Sequence, residues 1–454
     1  MLDGATGRLS LLRRNRDFAL LFWATAGSAV GTYLAALALS VHIFDNTGSG
    51  RWLAALLIAD FLPIVVIGLT LGPLVDRLSR RRLMVVSDLV RAGTFAALPF
   101  VDRPAVIVAL AGVNGIATGF FRPAVWAGLP NLVTDEEREQ ATSLLSTVEH
   151  LAWTIGPAAA GLLLAASGAD MAYWVNCVTF LVSALLVARI PANALRSDEP
   201  ITKGHWSDLR EGIGLVLSSR HLVTVLVVWS TAAAATACVN VAEVVLAKDD
   251  LDAGNVGLGF LVSATGVGLV IGSFFAASAL AALGMTRVYG GALSLMAVGF
   301  GLAAASPTIV VAALLAAIAT IGNGAAIVCN QVLVQRGAPD AMRGRALSVL
   351  MSVYYAVLGV SMAGGGLLVD YWGARAAWGL AGCVYLLAAL MAFALTRRIP
   401  EAAGSEGAGD GPAGLARIRS LMDEIEDTRR REQQRAKADL AVVATRDAEG
   451  RPAP

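Results

Sequence analysis

Charge is what this chain has least of. Asp, Glu, Lys and Arg make up 15% of its 454 residues, where a soluble protein of this length carries nearer a quarter, ~25%. Of those 69 charged residues, 22 crowd into the last 58 positions, 397–454, so the preceding body is more apolar still. Lysine is almost missing, with Lys203, Lys248 and Lys437 standing against 32 Arg, a bias that reads as genomic. A net charge of +1 says nothing about nucleic acid, and with no basic patch interleaved with aromatics no nucleic-acid partner is expected. The four cysteines, Cys177, Cys238, Cys329 and Cys383, lie singly inside apolar runs. That spacing makes neither a disulfide framework nor a metal site, and small apolar packing is their expected role. A nucleotide-binding loop and a metal-ligand cluster are both missing. No cofactor is therefore expected, and any work must be driven by an ion gradient.

What is present is apolar length. The chain is 56% hydrophobic, with a mean hydropathy of +0.67. Its apolar residues fall in blocks of about 20, the length a helix needs to cross a bilayer. The blocks are 18–41, 52–75, 83–101, 105–129, 142–167, 171–190, 222–247, 256–281, 286–305, 308–334, 346–369 and 374–396. No small-residue cleavage site follows the opening arginines, so the first block is expected to be a spanning helix rather than a removable signal. Lys and Arg in the connecting segments set the orientation. With the N-terminus inside, the inner segments up to residue 398 carry twenty of them and the outer loops four: Arg51, Arg103, Lys248 and Arg375. Both termini are expected in the cytoplasm of a multi-pass protein of the cell membrane.

The two halves repeat. A shift of 205 residues lays Asp135, Arg138 and Ala141 on Asp340, Arg343 and Ala346. The same shift pairs Gly161 with Gly366 and Gly168 with Gly373. Two six-helix units of equal orientation imply a parallel duplication. The expected division is a first bundle over 1–190, a polar linker over 191–221, a second bundle over 222–398 and a tail over 399–454. Within the linker, the stretch from Trp206 suggests an amphipathic helix on the inner membrane face. In the tail, Leu415, Ile418, Met422 and Ile425 suggest one short amphipathic helix in a loosely ordered segment.

Between the second and third blocks runs Gly72-Pro-Leu-Val-Asp76-Arg77-Leu-Ser79-Arg80-Arg81. Asp76 at a helix end can accept from Arg or backbone amides, and the arginines can bind carbonyls and lipid phosphates. The turn resembles the loop signature of the major facilitator superfamily, with Ser79 in place of a glycine. The resemblance covers about residues 10–398. It implies a twelve-helix, all-α membrane fold of two six-helix bundles, with Gly72, Asp76, Arg77, Arg80 and Arg81 as a conformational latch. The matching loop of the second half, from Ala281 to Arg287, lacks the acid, so any latch is one-sided. In the fifth block, Gly156, Pro157 and Gly161 are similar to the motif of drug:proton antiporters, where the stretch kinks the helix and seals the seam between halves. Trp153 and Ala160 replace two of its glycines. Arg14-Asn15-x-Asp17-Phe18 and Phe121-Arg-Pro-Ala124 look most like the twelve-span branch with macrolide and siderophore exporters. A fourth-helix antiporter motif can be laid on Asn114-Gly115, but Leu110 stands where its arginine belongs.

Ionisable groups inside a membrane need an interior partner or a cavity. Asp60 and Glu149 are candidate proton carriers. Glu243, near the outer end of its helix, reads first as hydrogen-bonded to a neighbouring helix, with proton coupling as the alternative. Arg122 is a candidate counter-ion or anion contact, and Asp88 with Arg91 a local i,i+3 pair. The resemblance implies a cavity lined by the first, fourth, seventh and tenth helices. Those offer Tyr33, Asn114, Arg122, Asn240, Asn330 and Gln331, with Tyr354 and Tyr355 from the eleventh. Amides in an apolar cavity suit a bulky amphiphile. The expected function is proton-coupled export of such a compound by rocker-switch alternating access. Its partners would be substrate, protons and membrane lipids, and the protein would act as a monomer. An importer or uniporter of the same fold, or a transport-inactive sensor or scaffold, is the alternative.

Overall fold

A computed structural model describes residues 10–70, 78–195, 205–339 and 342–397. The tail and its suggested amphipathic helix lie outside these residues. Among those described the regular structure is helical. The elements are α1 (Arg16–Thr47), α2 (Gly50–Thr70), α3 (Arg80–Ala97), α4 (Pro104–Gly128), α5 (Asp135–Ala188), α6 (His205–Ser218), α7 (Arg220–Val245), α8 (Gly254–Ala303), α9 (Ile309–Gly337) and α10 (Arg343–Thr396).

Nine of these helices are long and apolar enough to cross a membrane, yet α5, α8 and α10 run to 54, 50 and 54 residues. A straight 54-residue helix would be about 80 Å long, well over twice the roughly 30 Å hydrocarbon core. Each is broken once, at Gly168, Gly284 and Gly373, with φ of 75°, 76° and 82°. Only glycine adopts this backbone without a Cβ clash. At Gly168 the chain reverses. Glu137 near the start of α5 and Pro191 beyond its end line one depression together with Arg14 and Asp17. Split at the glycines, the three long helices become α5a (135–167), α5b (169–188), α8a (254–283), α8b (285–303), α10a (343–372) and α10b (374–396). The spanning segments then number twelve, close to the expected blocks.

Local chemistry sets the helix starts. Asn15 accepts from the Phe18 N–H at 3.0 Å, and its amide donates to the Leu132 carbonyl at 2.6 Å. One side chain thus caps α1 and ties it to the α4–α5 turn. Thr308 caps α9 in the same way, accepting from the Val311 N–H. At the start of α5, Glu137 reaches back to the Thr134 N–H. The carboxyl of Glu136 is held below its ordinary range by its own backbone amide and then by the Thr134 hydroxyl. The linker helix α6 exists as the sequence suggests, and it is fastened to α10a by a Glu211–Arg345 ion pair.

The first six spanning segments meet the last six along two seams that obey the 205-residue shift. In one, a Cβ on Gly161 would stand 2.7 Å from Gly259 Cα and 2.9 Å from the Asn255 carbonyl. In the other, a Cβ on Gly366 would stand 2.7 Å from Ala54 Cβ and 2.8 Å from the Gly50 carbonyl. Residues 50 and 54 shifted by 205 are 255 and 259, so the duplication preserved the contact as well as the helices. Small residues let membrane helices approach this closely. Outward-facing apolar side chains such as Leu162, Phe274, Val360 and Leu390 are exposed, as a lipid-facing surface requires. Phe100, Tyr371 and Trp372 are exposed near one end, where amphipathic rings suit the interface.

Candidate functional site

The described part of the arginine turn begins at Leu78, so Gly72, Asp76 and Arg77 lie outside the described residues. Ser79 has an ordinary φ of −64°, and its hydroxyl accepts from the Arg82 N–H to cap α3. A residue that caps a helix thus fills the position where the family pattern has glycine. Arg80 is buried. Arg81 donates to the Ala188 carbonyl at 2.5 Å, joining the start of α3 to the end of α5b.

Three carboxylates of the first half, Asp88, Asp60 and Glu149, are each paired. Asp88 and Arg91 form the expected ion pair, with both side chains buried. Ser183 donates to Asp88 at 2.7 Å, and the Arg91 guanidinium sits 4.1 and 4.2 Å from the ring centroids of Phe121 and Phe180. Asp60 accepts from the Asn114 amide at 2.7 Å. Asn114, expected in a substrate cavity, is buried and committed to that carboxylate. Arg122 donates to Glu149 at 3.2 Å, with the arginine side chain half exposed. The structure therefore brings together a proton-carrier candidate and the candidate counter-ion. Tyr33 lies within electrostatic reach of both and of Tyr355.

The antiporter-like stretch lies inside α5a and takes part in the contact between the halves. Backbone dihedrals remain helical through Gly156 and Pro157, and α5 departs from helix only at Gly168. Close contact is what the glycines provide instead. A Cβ on Gly156 would meet Tyr33 Cβ at 2.7 Å, and Gly161 forms one of the two seams.

A cavity of about 370 Å³ lies in the second half, drawn from α7, α8, α9 and α10, with Phe61 of α2 reaching in from the first half. Asn240, Asn330, Tyr354 and Tyr355 line it, as does Glu243, whereas Tyr33, Asn114, Arg122 and Gln331 do not. This differs from a cavity shared equally by the first, fourth, seventh and tenth helices. Tyr289 donates to Asn330 at 2.5 Å, and Thr236 and Tyr385 share a hydrogen bond of 2.8 Å. Glu243 makes no hydrogen bond or ion pair among the described residues, contrary to the hydrogen bond expected of it. Trp229, Tyr289 and Tyr385 were not singled out from sequence, because aromatic residues in apolar helices carry no pattern that separates a wall from a core.

A second set of residues, which the sequence marks only as outer-loop charges or not at all, closes one end of the seam. Asp370 accepts from the Ser49 hydroxyl at 3.0 Å, from the Gly50 N–H at 2.5 Å and from Arg51 Nε at 2.5 Å. Beside it, Lys248 pairs with Asp45, and Arg375 donates to the Ala304 and Ser306 carbonyls. The bonds of Asp370 with Ser49, Gly50 and Arg51 and of Lys248 with Asp45 join the two halves at this end, opposite the arginine-rich one. The partners of Asp370 stand more than 300 positions away, and only an acid at the end of an apolar run could have flagged it.

A twelve-segment helical body with a paired seam and an interior cavity matches known proteins. A family model described as a transmembrane secretion effector, within the major facilitator superfamily, covers residues 6–409. The chain belongs to this family. The transporter is 25% identical over 406 residues to an uncharacterized MFS-type transporter, YfiS, of Bacillus subtilis, covering 84% of this chain and 93% of that protein. It is 25% identical over 364 residues to the multidrug efflux pump Tap of Mycolicibacterium fortuitum, covering 76% and 88%. It also matches macrolide efflux protein A of Streptococcus pyogenes, at 26% over 215 residues, 45% of this chain and 52% of that one. Among solved structures, the POT family transporter PepTSo superposes with a TM-score of 0.69 at 12% identity, covering 84% of this chain and 98% of that one. A bacterial homologue of the iron transporter ferroportin in an inward-facing state gives 0.66 at 15%, covering 84% and 99%. These likenesses establish the fold.

Proposed function

We propose that this transporter exports a small amphiphilic compound across the cell membrane by proton antiport, alternating access between the two ends of its seam. One observation carries the reading: an amphiphile-sized cavity in the membrane interior, with the two halves hydrogen-bonded shut at one end. A pocket of about 300–1,000 Å³ is the usual size for a drug-sized ligand, and the cavity is about 370 Å³. The excess of Lys and Arg places the arginine-rich end in the cytoplasm, with both termini there and the Asp370 end outside. The conformation described is then closed to the outside. The likeness to the multidrug efflux pump Tap and to macrolide efflux protein A supports export over import. Protons are carried by Asp60 or Glu149, whose partners Asn114 and Arg122 hold them at defined positions. No cofactor takes part, and a monomer is the working unit.

Everted membrane vesicles test this. An amphiphilic dye accumulates when a pH gradient, acid inside, is imposed and is lost when it is collapsed. Pumping that ignores the gradient would sink the antiport. Asp60→Asn and Glu149→Gln are expected to abolish gradient-driven accumulation while sparing binding, and full activity excludes that residue as the carrier. The importer or uniporter reading requires uptake in right-side-out vesicles instead.

A further inference from the structure

We infer that the second-half cavity is a site for an organic cation, a protonated amine on an apolar body, with Glu243 as its counter-ion. This rests on the reading of the cavity as the transport site and names its substrate class. Glu243 is the one ionisable carboxyl among the lining residues, and no Lys, Arg or His lines the cavity with it. Thr236 and Asn330 already engage the hydroxyls of Tyr385 and Tyr289. Among the described residues nothing hydrogen-bonds or neutralises Glu243. A carboxylate kept out of water needs a proton or a cation, and here the cavity leaves room for the cation to arrive with the ligand.

The wall suits such a ligand. Trp229 and Tyr354 lie with centroids 5.0 Å apart, Tyr354 and Tyr355 5.3 Å, and Phe61 and Tyr355 4.9 Å. Trp229 stands fourteen residues before Glu243 on the same helix, about 21 Å along it, so the rings shelter the apolar body of the ligand while the carboxylate takes its charged end. An inorganic divalent ion would want several oxygen ligands, and the described residues gather no group of three or more acidic, His or Cys side chains. An anion would find no positive group. Phe61 belongs to the first half and the other three rings to the second. The ring wall is therefore complete only while the halves are together, and parting them removes one face and weakens the hold on the ligand.

Binding tests this with the purified full-length transporter in lipid nanodiscs. The probe is monodansylcadaverine, a fluorescent primary ammonium, set against its N-acetyl derivative, which keeps the body and loses the charge. The ammonium is expected to bind at least ~10-fold more tightly than the acetamide. Glu243→Gln brings the ammonium down to the acetamide's level, and Glu243→Asp keeps the preference. Phe61→Ala weakens both probes alike. Equal binding of the two probes by the wild-type protein overturns the proposal even if every variant misfolds, as does a preference that survives Glu243→Gln. An unchanged affinity in Phe61→Ala removes the ring wall from it. Everted vesicles separate the two layers. Ammonium bound but not pumped under a pH gradient defeats the antiport reading and leaves the site standing. Charge-selective pumping by Glu243→Gln defeats the site and leaves antiport standing.

Discussion

The two halves of this transporter share a chain reversal, a seam contact and a 205-residue register, yet they treat buried charge in opposite ways. In the first half, Asp88 is paired with Arg91, Asp60 with Asn114, and Glu149 with Arg122. In the second half, Glu243 faces a cavity with no partner among the described residues. Paired groups hold an arrangement, whereas an unpaired one waits for something to complete it. The duplicated frame therefore carries a fixed half and a receptive half.

The sharpest way to break this contrast is at Arg91. Removing one member of a buried ion pair strands the other and costs about 3–5 kcal/mol. Arg91→Ala is expected to lower the thermal unfolding midpoint severely and to collapse the yield of folded protein. If the midpoint barely moves, the first half is not held by that pair. Next comes Asp370→Asn, which loosens the only described polar tie between α10a and the start of α2. Losing part of this charge-assisted set is worth about 1–2 kcal/mol, roughly a tenfold shift in population. Spin labels at Asp102 and Ala305, across the Asp370 end, should show a longer-distance population growing by that factor. A smaller effect is expected at Arg122 and Glu149. The arginine is half exposed, so solvent screens the pair, and a double-mutant cycle should give about 0.5–1 kcal/mol of coupling. Smallest of all is Glu243→Gln, which strands no partner. Its unfolding midpoint should match or slightly exceed the wild type, and a large drop would mean that Glu243 is structural.

Much of the frame was legible in sequence because it depends on local or periodic signals. Hydrophobic length located the twelve spans, and the repeat pointed at Gly168 and Gly373, which prove to be two of the three reversal points. The Asp88–Arg91 pair follows from i,i+3 spacing. The site was less legible because its parts are distant. Asp370 and Gly50 meet across 320 positions, Arg122 and Glu149 across 27, and no periodicity links them. The cavity defeated the expectation for another reason. Asn114 is an amide in an apolar helix, which suits a ligand contact or a neighbour equally well, and only packing shows that Asp60 claims it. Glu243 erred in the other direction, since proximity to a helix end implied a neighbour that the structure does not supply.

The matched glycine seams have a mechanical consequence. Backbone lying on backbone leaves no interlocking side chains to lift out when the two bodies tilt, so such contacts can roll where ridged ones would jam. Gly161 on Gly259 and Gly366 on Ala54 form two bearings, one on each flank of the molecule, and the line between them is a natural axle. A bulky side chain at either bearing would act as a wedge, stalling the tilt while leaving each body folded.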